Sequence, residues 1–217
     1  VKIDGSSDSE GLIRGSITSG SISLVGDTSR GEGASLYGVG IGAATVIGAF
    51  LNTNNTVLTS LSVTNINIED LDISAPLIGR AMLGGIVGCC GNTTAKNIQS
   101  RIQNVDIKNV DINKEVKRFA FNGGIIGLVK EGVKKCEISN VKIIGDKNNK
   151  NTITGYRHSG GIIGLTSSDT IIDNCLIENY EIVTDEYGED VGGIVGKIND
   201  NKSTLIVKNS KISDCVI

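Results

Sequence analysis

Few residues in this chain can do chemistry, and their spacing narrows the choice. The one histidine, His158, sits in Tyr156-Arg157-His158-Ser159, directly before Gly160-Gly161. A catalytic imidazole needs a nucleophile or a carboxylate within reach. Glu189 and Asp190 precede the next double glycine, Gly192-Gly193, at the equivalent place, so stacking of the two segments would bring them near. The reading preferred from sequence is nevertheless an exposed loop histidine. A His-Glu-x-x-His zinc protease site needs two histidines and cannot be built here. The densest acidic run is Thr184-Asp185-Glu186-Tyr187-Gly188-Glu189-Asp190. Calcium takes several oxygens from such loops, which makes Asp185, Glu186, Glu189 and Asp190 its candidate ligands. Paired carboxylates also serve glycoside cleavage. A solvated acidic loop is the preferred reading, with calcium binding and then catalysis behind it, and no catalytic residue or cofactor is assigned.

Five cysteines are present, Cys89, Cys90, Cys136, Cys175 and Cys215, with no Cys-x-x-Cys pair to support a structural zinc site. Cys136 and Cys175 share a repeat position in the motif alignment below, so they are expected to stack as small buried hydrophobes. A disulfide between them needs suitable Cβ directions. Of the vicinal Cys89-Cys90, one is expected to point in and one out. Gly38-Val39-Gly40-Ile41-Gly42 hints at a phosphate loop but lacks Gly-Lys-Ser/Thr and a βαβ setting. It reads better as a diverged repeat corner.

The elements that must position these residues come from a repeat, which has to be sought before anything else in a fold assignment. Gly84-Gly85-Ile86-Val87-Gly88 returns as Gly123-Gly124-Ile125-Ile126-Gly127, as Gly160-Gly161-Ile162-Ile163-Gly164 and as Gly192-Gly193-Ile194-Val195-Gly196, with spacings of 39, 37 and 32 residues. Ala44-Thr45-Val46-Ile47-Gly48 is a weaker copy. A second signal, apolar-x-Ile/Val-x-Asn-apolar-x-Ile, follows at Leu61–Ile68, Cys136–Ile143, Cys175–Ile182 and Ser210–Ile217, with a variant around Asn104 and a sixth, weaker copy at Ile17–Leu24. Alternation of apolar and polar residues marks strands with one buried face. The phase resets at the Asn, which tolerates the left-handed region and so suits a bend. Stacked coils would then place Asn65, Asn104, Asn140, Asn179 and Asp214 in one ladder. Val63, Ile138, Ile177 and Ile212 would form one internal apolar ladder. The double glycines, lacking side chains, predict tight corners where backbones approach. Ile86 and Val87 cannot both face inward in a regular strand. The segments 69–83, 108–122, 144–159 and 183–191 vary most, as insertions on one face of a solenoid do, and Val110–Ile112 and Asn151–Tyr156 are candidate extra strands within them.

Composition agrees with an all-β chain of short strands. The 217 residues include 29 Gly, 1 Pro, 3 Phe, 4 Tyr and no Trp, yet 39% are hydrophobic, so the core must be aliphatic. Branched Ile and Val suit pleated, half-buried surfaces. The fold expected is a parallel β-solenoid (β-helix) of about six irregular coils. It forms a single repeat domain, 1–217, with diverged repeats over 1–83 and clear ones over 84–217. A sandwich would show more Asn-Gly hairpin turns than the one at Asn122-Gly123, and no segment sustains helical periodicity. The formal charge of -3 is spread without blocks, which gives no footprint for nucleic acid. There is no transmembrane-length apolar run and no signal peptide. A start without Met and a close at Cys215-Val216-Ile217, inside a strand pattern, suggest a piece of a longer chain whose end strands meet further protein.

Gly-Gly-Ile-Ile-Gly-Leu, a polar turn, then Ile-x-Asn-Cys-x-Ile resembles the GLUG repeat over roughly 44–217, best over 123–198. Proteins with that repeat include surface adhesins of the filamentous-haemagglutinin type and the N-terminal regions of secreted immunoglobulin-A-cleaving metalloproteases. The resemblance implies an extracellular or cell-surface, non-catalytic solenoid. It would be a stiff structural or adhesive spacer with a variable loop face. Its partners would be flanking domains of its own chain, end-to-end stacked subunits, or a host protein or glycan. The alternative is a carbohydrate-active β-helix enzyme, a polysaccharide lyase or hydrolase, which would need carboxylates converging in a groove.

Overall fold

The computed structural model describes residues 12–23, 41–44, 47–50, 60–74, 81–91, 98–112, 120–184, 188–199 and 203–217. Among them there is no helix, and every strand pair is parallel. Three sheets run along the molecule. The first contains, in order, β1 (Leu12–Ser23), β4 (Ser60–Ser74), β7 (Ile98–Ile112), β10 (Val133–Ile144), β14 (Thr170–Glu178) and β18 (Leu205–Lys208), with β11 (Asn151–Gly155), β15 (Tyr180–Thr184) and β19 (Lys211–Ser213) paired alongside. The second is β2 (Ile41–Ala44), β5 (Ala81–Gly84), β8 (Ala120–Gly123), β12 (His158–Gly160) and β16 (Asp190–Gly192). The third is β3 (Ile47–Phe50), β6 (Val87–Cys90), β9 (Ile126–Val129), β13 (Ile163–Thr166) and β17 (Val195–Ile198). The chain visits second, third and first sheet in turn, which is a parallel β-solenoid.

About three turns, 81–112, 120–155 and 158–184, have neighbours on both sides in all three sheets. The six coils expected from the motif count are therefore not supported. A motif copy marks a strand, whereas a complete turn needs all three sides and a covering neighbour. The expected strand at Val110–Ile112 is the end of β7, and that at Asn151–Tyr156 is β11, which ends at Gly155. Residues 38–40, of the glycine-rich stretch, and Thr45 and Val46, of the weak repeat copy, lie outside the described residues.

The long first-sheet strands bend where a residue other than glycine takes positive φ. Asn65, Asn104, Asn140 and Asn174 lie at φ 53–56°. A second set, Asp70, Asn109, Asn179 and Asp214, lies at 51–58°. The strand register puts Asn140 over Asn104 and under Asn174, not Asn179. Side-chain amides link this row: Asn104 donates to Asn65 at 3.2 Å, Asn140 to Asn104 at 3.1 Å and Asn174 to Asn140 at 2.9 Å. Asn179 and Asp214 belong to the other bend, where Asn109 donates to Asp70 at 3.0 Å. The single ladder expected from sequence is two ladders. The reason is that a second bend of the same signature follows five residues after the first at Asp70, Asn109, Asn179 and Asp214, whereas the turn of Asn140 has Gly145 at that place, without positive φ.

The apolar rows divide the same way. Val63, Ile102, Ile138, Ile172 and Val207 stack in one row. Ile68, Ile107, Ile143, Ile177 and Ile212 stack in another. Cys136 registers with Thr170, and Cys175 with Val141, so the two thiols do not share a position. All five cysteines are free. Both Cys89 and Cys90 are fully buried, Cys90 in the main core and Cys89 in a small separate cluster with Met82, Leu128 and Leu165. The expected inward and outward pointing is correct, but the outward side is covered too. Burial pushes the Cys89 thiol up to about 11 and the Cys136 thiol up to about 12.

The double glycines form the corner between the second and third sheets. Ile86 and Val87 are both fully buried, because the chain bends at Gly85-Ile86 rather than running as a strand. One carbonyl caps each corner: Ile125 C=O accepts from Ile86 N–H and Val87 N–H, both at 3.0 Å. Ile162 C=O does the same for Ile125 and Ile126 at 2.9 and 3.0 Å. A Cβ on Gly124 would lie 2.2 Å from the Gly161 carbonyl oxygen, so only glycine fits this approach.

Candidate functional site

Short strands show one face inward and one outward. On the outward face of the second sheet, Met82, Phe121, His158 and Asp190 stack in register. On the third sheet the matching row is Cys89, Leu128, Leu165 and Lys197. The two rows meet across the tight corner. Their first members form the separate apolar cluster, against which Phe121 packs. Their last members form an ion pair, Lys197 Nζ to Asp190 Oδ2 at 3.1 Å. Along the stack this strip changes from apolar to charged, and His158 stands at the change.

His158 is 3% exposed, not a loop histidine in solvent. Its ring stacks on Phe121, with centroids 5.2 Å apart and planes 10° from parallel. Above it, the Arg157 carbonyl accepts hydrogen bonds from the amides of Glu189 (3.1 Å) and Asp190 (2.9 Å), which pins both residues over the imidazole. Asp190 Oδ2 lies 2.9 Å from His158 Nδ1, yet Nδ1 makes no aligned hydrogen bond. Glu189 Oε2 lies 3.9 Å from Nε2, and Arg157 Nε donates to Glu189 Oε1 at 2.6 Å. Lys197 Nζ is 3.9 Å from Glu189 Oε2. Burial, and then the Lys197 charge, hold the His158 pKa below its ordinary value, with Asp190 and Glu189 opposing. Hydrogen bonding from Arg157 holds the Glu189 carboxyl below the usual range.

The donor atoms of His158, Glu189 and Asp190 all lie within 4.8 Å of one another, an arrangement able to hold a cation. Asp185 and Glu186, the other calcium candidates, lie outside the described residues. The stacking of His158 with Asp190 was readable in the sequence, since each stands two residues before a double glycine. Phe121 stands at that same place before Gly123 but carries no polar group to attract notice. Lys197 was not readable, because it reaches the site from another sheet. No protein-family model, curated protein or solved structure matches the chain.

Proposed function

We propose that this chain is a structural or adhesive β-solenoid module of a larger cell-surface or secreted protein, a stiff spacer akin to GLUG-repeat regions. The observation that carries this reading is an open end of the stack. In turn 158–184, Ile163 and Ile172 are fully buried. In the last turn, 188–217, Val207 occupies the position over Ile172 and is 41% exposed, while Val216 and Ile217 are 46% and 60% exposed. β17, β18 and β19 are each hydrogen-bonded on one edge. An open edge with apolar residues is a template for another parallel strand, so the module joins end to end with a further solenoid segment. The exposed loop residues 146–149, held in a turn by Asp146 Oδ1 accepting from the Asn148 and Asn149 amides at 2.6 and 3.1 Å, offer the variable contact face.

A carbohydrate-active enzyme would instead use converging carboxylates. Glu189 and Asp190 each face a cation, Arg157 and Lys197, which favours the structural reading. Sedimentation velocity on the 217-residue chain tests the proposal. Concentration-dependent self-association is expected, and it should vanish in the Val207→Lys, Ile217→Lys double variant. A monomer unchanged up to high concentration counts against it.

A further inference from the structure

We propose that His158, Glu189 and Asp190 form a binding site for a divalent transition-metal ion of the zinc class, set at the outward strip between the second and third sheets. Three observations support the site beyond the presence of two acidic residues. First, His158 is buried, and its Nδ1 has no hydrogen-bond partner although a carboxylate oxygen stands 2.9 Å away. A buried polar atom left unsatisfied calls for an explanation, and a metal ion bound there is one. Second, the imidazole is stacked on the Phe121 ring beneath it, and the backbone of Glu189 and Asp190 is held beside it by the shared Arg157 carbonyl. Packing of this kind brings the ligand-bearing residues together before an ion arrives. Third, Lys197 Nζ lies between the two carboxylates, 3.1 and 3.9 Å from them. The two carboxylates thus converge on one cationic group, which an entering ion has to displace.

The donor set decides the ion. Calcium and magnesium take oxygen ligands, whereas an imidazole with carboxylates suits zinc, nickel, copper or iron. Zinc ligands at about 2.0–2.2 Å from the ion lie roughly 3.3–3.6 Å from one another in a tetrahedron. The three donor atoms lie within 4.8 Å, with His158 Nδ1 and Asp190 Oδ2 at 2.9 Å, and side-chain rotation brings them to that spacing. The Glu189 and Asp190 side chains, 42% and 40% exposed, have room to rotate. Two carboxylates neutralise the ion, and Lys197, 34% exposed, can move to solvent when it enters. Three protein ligands leave one coordination position for water or another donor.

Calorimetric titration of the intact chain with Zn(II), and with Co(II) followed by visible absorption, tests the site. One saturable site per chain is expected, with affinity at least tenfold weaker in Asp190→Asn and in Glu189→Gln. Both replaced groups are partly exposed, and circular dichroism checks that each variant is folded. Lys197→Met separates a metal site from a structural ion-pair network. It removes the competing ammonium, so zinc should bind several-fold more tightly. The proposal is overturned by absence of saturable uptake in the unmodified chain or by uptake that survives Asp190→Asn. Weaker binding in Lys197→Met, or a cobalt spectrum with thiolate bands, overturns it as well.

Discussion

Turn 158–184 and turn 188–217 are built on one motif and stacked in one register, yet they differ in what covers them. In the first, Ile162, Ile163, Ile172, Ile177 and Ile182 are at most 1% exposed. In the second, Ile194, Val195, Leu205 and Ile212 pack against the same core but are only partly buried. The contrast separates two contributions that sequence pattern merges. Register is written in each turn by its corners and bends, whereas burial is supplied by the next turn. Stability of such a stack is roughly a sum of terms within turns and terms between neighbours.

The largest effect expected tests this at the glycine corners. A Cβ on Gly161 would meet the Gly193 carbonyl oxygen at 2.2 Å, a backbone atom that cannot give way without opening the stack. At Gly193 the nearest atoms are the side-chain ends Ile212 Cδ1 (2.4 Å) and Ile217 Cδ1 (2.7 Å). Gly161→Ala should cost more than about 4 kcal/mol, in the exceptional range for a point change, and Gly193→Ala much less. Urea unfolding measures both, and equal losses would show that the corner is not set by backbone approach.

Next comes the apolar row. Ile177 is 1% exposed, and Ile212 sits over it in the half-covered last turn. Ile177→Ala should cost about 2–5 kcal/mol, the usual range for a large core truncation. Ile212→Ala should cost less than half of that. If an added chain or second copy covers the end under the assay conditions, the two values converge, so the same measurement sharpens the end-to-end proposal.

The bends account for what the sequence showed and what it hid. The double glycines, the alternation and the Asn bends were all legible, because each is a local steric requirement. The pairing of bends between turns was not. Asn174 and Asn179 lie five residues apart with alike flanks, and the cysteine before each aligned block drew Asn140 toward Asn179 when the register pairs it with Asn174. Distance along the chain cannot separate two bends that look the same; only the hydrogen-bonded register does. The site followed the same rule. His158 and Asp190 were found from their equal distance to a double glycine, and Lys197 stayed hidden because its place depends on packing between sheets. Asn140 offers a test of what the bend requires. A left-handed conformation costs an ordinary L-residue roughly 1–2 kcal/mol. Asn140→Ala should lose about that much, and Asn140→Gly less, because glycine keeps the φ of 54° without strain. A loss in Asn140→Gly as large as in Asn140→Ala would assign the stability to the amide ladder rather than to the backbone.

The smallest effect concerns charges on the outer face of the first sheet, which link neighbouring turns through solvent rather than through the core. Glu137 stands opposite Arg101 in register and receives its guanidinium at 2.9 Å, with Lys135 Nζ at 2.5 Å from its other oxygen. Hydrogen bonds from Lys135 and then Arg101 hold its carboxyl below the ordinary value, against a small opposing effect of burial. A carboxylate with a lowered folded-state pKa binds fewer protons than it does unfolded. It therefore contributes stability that is complete above the unfolded value of about 4.3 and is lost as pH falls through the lower folded value. Because Arg101 and Lys135 are 59% and 44% exposed, solvent screens the pair, and the contribution is at most about 1 kcal/mol. Urea midpoints of the parent and Glu137→Gln should differ slightly at pH 7, differ less in added salt, and converge below about pH 4. A difference that persists unchanged into acid would mean that Glu137 acts by packing its stem against the sheet, not by its charge.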